Sequence, residues 1–304
     1  MAAASITSCS ATTENVTSGV SISRLILRRQ RTRIRLESTI RSRRLFLAGT
    51  AGAALAGRAL RPWARERDMS EEGIFELRQY TLHRGQRDTL ISLFEKAFVQ
   101  PLNAVGAQVV GTFRDLDDPD RFVWMRGFRD MPTRQEALAS FYGGPVWQAN
   151  RAAANATMLD SDNVLLLRPV GPTPDFSPQP GAHTGTDGII GATIYYLGSV
   201  DTAQFAQFFE QAMLPHLTAE AVKPIARLVT EEAPNNFPRL PIREHERTFI
   251  WFARWADASA ENEFFTRFSA LSGWRDSAPE SILPSLMRKP ERLRLVPTPR
   301  SPLR

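Results

Sequence analysis

The chain has 304 residues, 42% of them hydrophobic, with 18 Phe and 6 Trp, which is enough to build the cores of about two domains. Its net charge of +6 is concentrated at one end: residues 1–69 hold 13 Arg against 4 acids, so the remainder is slightly acidic. That distribution excludes a body that grips a phosphate backbone, and no nucleic-acid partner is expected. The single cysteine, Cys9, lies in the basic end, which excludes a disulfide framework, a thiolate nucleophile and a Cys-ligated metal from the body.

Residues 1–72 read as a targeting segment. Ser42-Arg43-Arg44-Leu45-Phe46-Leu47 resembles a twin-arginine export signal, followed by a weakly apolar run from Leu45 to Gly57 and the small-residue pattern Ala54-Leu55-Ala56. The run is too short to span a bilayer, which takes about 20 apolar residues, so no transmembrane segment is expected. Export, with a periplasmic or extracellular destination, is the favoured expectation. Residues 1–40 are rich in Ser, Thr and Arg and poor in acids; they read either as an over-extended start, with translation beginning near Arg41, or as a mitochondrial-type transit segment, and a mitochondrial or cytoplasmic location is the alternative to export.

In the body, Ile74 to Leu82 reads as a strand ended by Gly85, and Gln86 to Leu102 as a helix with Leu90, Leu93, Phe94, Ala97 and Phe98 on one stripe. Gln108 to Asp115 and Arg121 to Arg129 read as a hairpin around the turn Asp117-Asp118-Pro119-Asp120. Thr133 to Met158 reads as helical with a break at Gly143-Gly144-Pro145, and Asn163 to Arg168 as a last strand. The order is β-α-β-β-α-β, the ferredoxin-like plan. Residues 171–187, with four Pro and three Gly, read as a linker.

The same order then recurs. Ile189 to Leu197 reads as a strand, Asp201 to Ala221 as a helix capped by Asp201, and Ile225 to Thr230 and Arg247 to Trp255 as a hairpin expanded by the loop Ala233 to Glu246. Ser259 to Trp274 reads as a helix and Leu293 to Val296 as the closing strand. Phe122-Val123-Trp124-Met125 is matched by Phe249-Ile250-Trp251-Phe252 at an offset of 127, which holds through Phe141 and Phe268 to Trp147 and Trp274. Upstream, Tyr80 and Phe94-Glu95 recur as Tyr195 and Phe209-Glu210 at an offset of 115. A repeat this long points to a duplicated domain, not a solenoid. The expected fold class is therefore α+β, with two tandem ferredoxin-like domains at residues 73–170 and 188–298.

Phe75-Glu76-Leu77-Arg78-Gln79-Tyr80-Thr81-Leu82, Asp118 to Phe128 and Gly143-Gly144-Pro145-Val146-Trp147 are similar to segments of the NIPSNAP family, over about Gly73 to Val170. The second copy departs from the pattern, with Gly191 and Thr193 in place of Glu76 and Arg78. The resemblance implies a dimeric α+β barrel in which two ferredoxin-like sheets face each other around a pocket. Here one chain would supply both halves as an intramolecular pseudo-dimer, with further homo-oligomerisation left open. The barrel superfamily includes cofactor-free monooxygenases, haem-binding enzymes and small isomerases, and NIPSNAP-like proteins carry no well-defined reaction.

Glu76, Arg78 and Tyr80 share one strand face, and Trp124 and Arg126 share one face of theirs. In the implied barrel both faces would turn into the lumen, where an acid, two arginines and a phenol could hold a carboxylate or carbonyl. The competing reading is an internal Glu76–Arg78 or Glu76–Arg126 ion pair that specifies packing. Trp124, Trp251, Trp147 and Trp274 are expected chiefly as core. His83, His183, His216 and His245 show no metal-ligand spacing, so no metal and no cofactor are expected; His216 is a candidate general base near a pocket mouth. Asp115, Asp117, Asp118 and Asp120 read as turn acceptors, since the glycine and terminal glutamate of a calcium loop are missing. Three functions remain: binding of a small apolar or carboxylate-bearing ligand in the barrel, cofactor-free oxygenation or isomerisation in the lumen, and a protein-interaction module using sheet edges or the loop Ala233–Glu246.

Overall fold

In a computed structural model of the chain, the structure describes residues 73–177, 188–271 and 273–304. The expected export signal and most of the expected linker lie outside the described residues.

Strand β1 (Ile74–Leu82) ends where Gly85 adopts a positive φ of 74° and donates its N–H to Asp120 Oδ1 at 2.8 Å. The helix expected over 86–102 is two helices, α1 (Arg87–Ala97) and α2 (Val99–Ala104). Pro101 has no N–H for the Ala97 carbonyl and its ring crowds that oxygen, so the chain breaks at Phe98. Strands β2 (Gln108–Asp115) and β3 (Arg121–Phe128) form the hairpin. In its turn Asp115 Oδ1 accepts from Asp117 N–H at 2.9 Å and Asp118 Oδ1 from Asp120 N–H at 3.0 Å, which bears out their reading as turn residues.

Helix α3 (Met131–Gly143) starts two residues before the expected position, because Asp130 caps the Thr133 N–H at 2.7 Å. Helix α4 (Pro145–Asn155) follows the expected break. The short β4 (Met158–Asp160) then pairs with the end of β1, and β5 (Val164–Pro169) with its first half.

The remaining strands are β6 (Ile189–Tyr196), β7 (Ala226–Thr230), β8 (Thr248–Trp255) and β9 (Glu291–Pro297). Between β6 and β7, α5 (Thr202–Phe208), capped by Asp201, runs through a π-helical turn (Phe209–Met213) into α6 (Leu214–Ala219). Pro215 cannot donate to the Gln211 carbonyl, and the wider turn absorbs the interruption. The helix expected over 259–274 is α7 (Ala258–Ala270), capped by Asp257, followed by the short α8 (Gly273–Asp276) and α9 (Leu283–Met287).

The strands close into a ring, β1–β3–β2–β9–β6–β8–β7–β5 and back to β1, with every neighbour antiparallel. Residues 74–169 supply β5–β1–β3–β2 and residues 189–297 supply β9–β6–β8–β7. The halves are sewn at Arg114↔Val296 and at Arg168↔Val229. The register of β1 on β3 recurs in β6 on β8: Glu76↔Arg126 corresponds to Gly191↔Ala253, and Arg78↔Trp124 to Thr193↔Trp251. A closed ring leaves none of its eight strands a free edge; the three-residue β4, paired only with β1, lies outside the ring and keeps one.

Three apolar cores follow from the two-residue period of the strands. Phe75, Leu77, Val123, Met125, Ile250 and Phe252 belong to one cluster fed by all eight ring strands; only the inner face lets eight strands meet, so this cluster is the lumen. Phe176 packs on Phe75 and Phe252, and Leu303, fully buried, joins the same cluster. The lumen is therefore filled by side chains. The outer faces carry the other two cores. Trp124, Phe122 and Tyr80 meet Phe94, Phe98, Leu138 and Phe141 of the helices, and Trp251 and Phe249 meet Phe205, Phe209 and Phe264. Trp124 and Trp251 are buried, as expected of core aromatics.

Candidate functional site

Glu76, Arg78 and Tyr80 alternate with Phe75 and Leu77. Since Phe75 and Leu77 fill the lumen, the polar row points the other way, into the layer between sheet and helices. The expectation that this row faces the lumen is corrected. Both faces of β1 are buried, so polarity alone did not mark the inner one, and the small cross-section of the ring is taken by apolar side chains.

The expected residues do converge. Glu76 Oε2 accepts from Arg78 Nη1 at 2.7 Å and from Arg126 Nε at 2.8 Å. Arg126 Nη2 also lies 2.6 Å from Oε2 but does not aim a hydrogen at it. Arg78 Nε donates to the Tyr80 hydroxyl at 2.9 Å. Trp124 lies beneath both cations, its ring 5.7 Å from the Arg78 guanidinium and 5.1 Å from that of Arg126, close enough for the ring face to attract each charge.

A third cation was not among the expected residues. Arg134, on α3, donates Nε to Glu76 Oε1 at 2.7 Å. It shares the buried stripe of that helix with Ala137, Leu138 and Phe141, and an arginine on an otherwise apolar stripe was the available signal. Its Nη1 donates to Asn235 Oδ1 at 3.1 Å and to Asn236 Oδ1 at 2.5 Å. Both asparagines belong to the loop between β7 and β8. This loop crosses from the other half of the ring, donates Asn236 Nδ2 to the Met131 carbonyl at 2.6 Å and stacks Phe237 on Tyr142. Nothing in the local pattern of residues 233–246 indicated that partnership.

Glu76, Arg78, Arg126 and Arg134 are each at most 1% exposed. Burial alone would raise the Glu76 carboxyl, but Arg126, Arg78 and Arg134 outweigh it and hold the group well below the usual carboxylate range. Arg134 moves the other way: burial lowers it, Glu76 offsets that only in part, and Arg126 and Arg78 repel it. The two ends of one ion pair thus shift unequally because one carboxylate serves three guanidinium groups. The cluster carries two positive charges beyond its carboxylate, and Arg126 Nη2 and Arg134 Nη2 have no hydrogen-bond acceptor among the described residues.

Among the described residues the other half of the ring holds no such network. Gly191 and Ala253 replace Glu76 and Arg126 in the cross-strand pair, and the offset of 127 matches Arg134 with Glu261. A Cβ at Gly191 would overlap the Trp255 indole, so the space that Glu76 uses in one half is taken by an aromatic ring in the other. His216 is half-buried on α6. Among the described residues no group of three His, Cys, Asp or Glu side chains could hold a metal ion, and no helix is long and apolar enough to cross a membrane.

Residues 75–174 match the NIPSNAP family model, and they span β1 to β5 with the whole Glu76 cluster apart from its two loop asparagines. No curated protein matches the chain. A NIPSNAP-like domain protein from Burkholderia xenovorans is 22% identical, covering 34% of this chain and 93% of its own, with a TM-score of 0.31. A NIPSNAP family protein from Agrobacterium tumefaciens is 19% identical over 34% of this chain and 98% of its own, with a TM-score of 0.32. A candidate monooxygenase from Lactobacillus acidophilus is 14% identical over 77% of this chain and all of its own, with a TM-score of 0.45.

Proposed function

We propose that the chain consists of two ferredoxin-like copies, residues 73–170 and 188–298, joined by residues 171–187, and that the first copy binds a small carboxylate-bearing ligand between its sheet and its helices. The repeated strand register of β1–β3 and β6–β8 supports the duplication. One observation carries the ligand: three fully buried guanidinium groups share one carboxylate. Unpaired buried charge costs several kcal/mol per ion, and an incoming carboxylate would offset it with charge-assisted, bidentate bonds to Arg126 and Arg134.

The ligand site proposed earlier for the lumen moves to the outer face of β1, with Glu76 orienting the arginines, Tyr80 fixing Arg78 and Trp124 forming the wall. Entry requires the 231–246 loop to lift Asn235 and Asn236 off Arg134. No reaction is assigned. The twin-arginine pattern at Arg43-Arg44 supports export, and N-terminal sequencing of the mature protein tests it.

Native mass spectrometry of the full chain, purified from its own host, and thermal shift with sodium acetate, propionate and butyrate test the carboxylate site. A retained organic acid, or saturable stabilisation lost in Arg134→Met, is expected. Stabilisation that is equal in wild type and Arg134→Met, or absent for all three salts with no retained mass, sinks the proposal.

A further inference from the structure

The second half of the ring carries an open cavity of about 530 Å³ beneath α7, bounded by the segment that runs from α8 to β9. That size lies in the range of small-molecule sites. It occupies the layer that the Glu76 cluster fills in the first half. The four-residue α8 stands there in place of the eleven-residue α4 of the first half, which leaves the space open.

Its walls carry aromatic rings, three cations and the neutral polar side chains of Asn262, Thr266 and Ser269. Phe268 and Trp274 stack in parallel, centroids 5.1 Å apart and planes within 16°, and Tyr195 lies beside them. Trp274 is 4% exposed and its Nε1 has no acceptor among the described residues; the same holds for Nη1 of Arg292. Arg275, Lys289 and Arg292 line the cavity, and no Asp or Glu does. The neighbouring Arg294 is not free, since it is held by Asp117. The buried Glu261 is raised by burial, with Arg292 and Arg294 opposing, so it compensates these cations only in part. Trp274 Nε1 and Arg292 Nη1 are both closed off from the cavity, so the call for a ligand with acceptor oxygens comes from its wall, where three cations stand with no acid among them.

We infer that this cavity binds an aryl carboxylate, the ring held against Phe268, Trp274 and Tyr195 and the carboxylate against Arg292 and Lys289. The inference is independent of the carboxylate site in the first half. Its site lies in a separate layer of the molecule and selects a flat aromatic body as well as a charge.

Isothermal titration of the full chain with 2-naphthoate and with its neutral isostere 2-naphthamide tests it. One saturable site for naphthoate is expected, with naphthamide at least tenfold weaker. Arg292→Leu should weaken naphthoate at least tenfold and abolish the preference over the amide. Lys289→Gln, at a position where unfolding is not at stake, should weaken it two- to fivefold, and Trp274→Phe should keep the ring and lose part of the affinity. Arg134→Met, in the other cluster, should leave the titration unchanged. No saturable binding, equal affinity for acid and amide, unchanged affinity in both Arg292→Leu and Lys289→Gln, or a loss in Arg134→Met would each overturn the assignment.

Discussion

Arg134 Nε lies 2.7 Å from Glu76 Oε1, and the other face of the same guanidinium meets Asn235 and Asn236 from a loop more than a hundred residues downstream. One side chain therefore ties the first strand, helix α3 and the loop of the opposite half-ring together. Its position also makes it the third cation on a single carboxylate. The energetic consequences of Glu76 and of its arginines are accordingly unequal.

Glu76→Gln leaves three buried guanidinium groups with no carboxylate, and a loss of about 3–5 kcal/mol is expected. Arg134→Met leaves Glu76 paired with Arg78 and Arg126 and removes one surplus charge, so a loss below about 2 kcal/mol is expected. Arg78→Ala belongs with Arg134→Met on stability, because Glu76 keeps two partners. Urea unfolding measures all three. Equal losses for Glu76→Gln and Arg134→Met would mean that the cluster has no surplus charge.

Strand positions were legible because period-two alternation and the Gly85 turn are local signals, and Asp201 announced its helix as a cap, whereas the same role of Asp130 and Asp257 went unread and their helices start one or two residues earlier than expected. The convergence of Glu76, Arg78, Tyr80, Trp124 and Arg126 was legible too, since residues two apart share a face. Which face was inner was not. In a ring covered by helices both faces are dry, and Phe75 and Glu76 are equally buried. Arg134 left a trace as a charge on an apolar stripe, whereas Asn235 and Asn236 reach the cluster only through the closure of the ring, which no local pattern encodes.

Acid should weaken the protein through Glu76. The folded carboxyl titrates below its unfolded value, so the unfolded state binds the proton first and the stabilisation present above the unfolded pKa of about 4.3 is lost as pH falls. Unfolding free energy should therefore decline from about pH 5 downward, and the Glu76→Gln variant should show a shallower slope over the same range. Parallel slopes for the two proteins would place the acid sensitivity elsewhere.

The loop between β7 and β8 is held at the cluster by Asn236, which donates to Met131 O and accepts from Arg134, and by Phe237 on Tyr142. Replacing Asn235 and Asn236 together by Ala removes two acceptors from Arg134 Nη1. A loss of about 1–3 kcal/mol is expected, together with faster amide exchange across residues 231–246 and across the first turn of α3. Exchange that rises in the loop alone would show that the loop does not brace the helix.

Glu261 should respond in the opposite sense to Glu76. It is 1% exposed, its Oε2 has no hydrogen-bond partner among the described residues, and burial raises its carboxyl despite Arg292 and Arg294 nearby. The folded state then binds the proton more tightly than the unfolded state, so this group favours folding below its unfolded pKa of about 4.3 and the advantage is lost as pH rises through its folded pKa. At pH 7 the buried charge is a cost. Glu261→Gln keeps the shape, removes the charge and should stabilise the protein at pH 7 by about 1 kcal/mol or more, a gain that shrinks as the pH is lowered toward 4. Urea unfolding of both proteins at pH 7 and pH 4.5 measures it. A variant less stable than wild type at pH 7 would mean that Glu261 is paired with Arg292 in solution and contributes to the fold as a carboxylate.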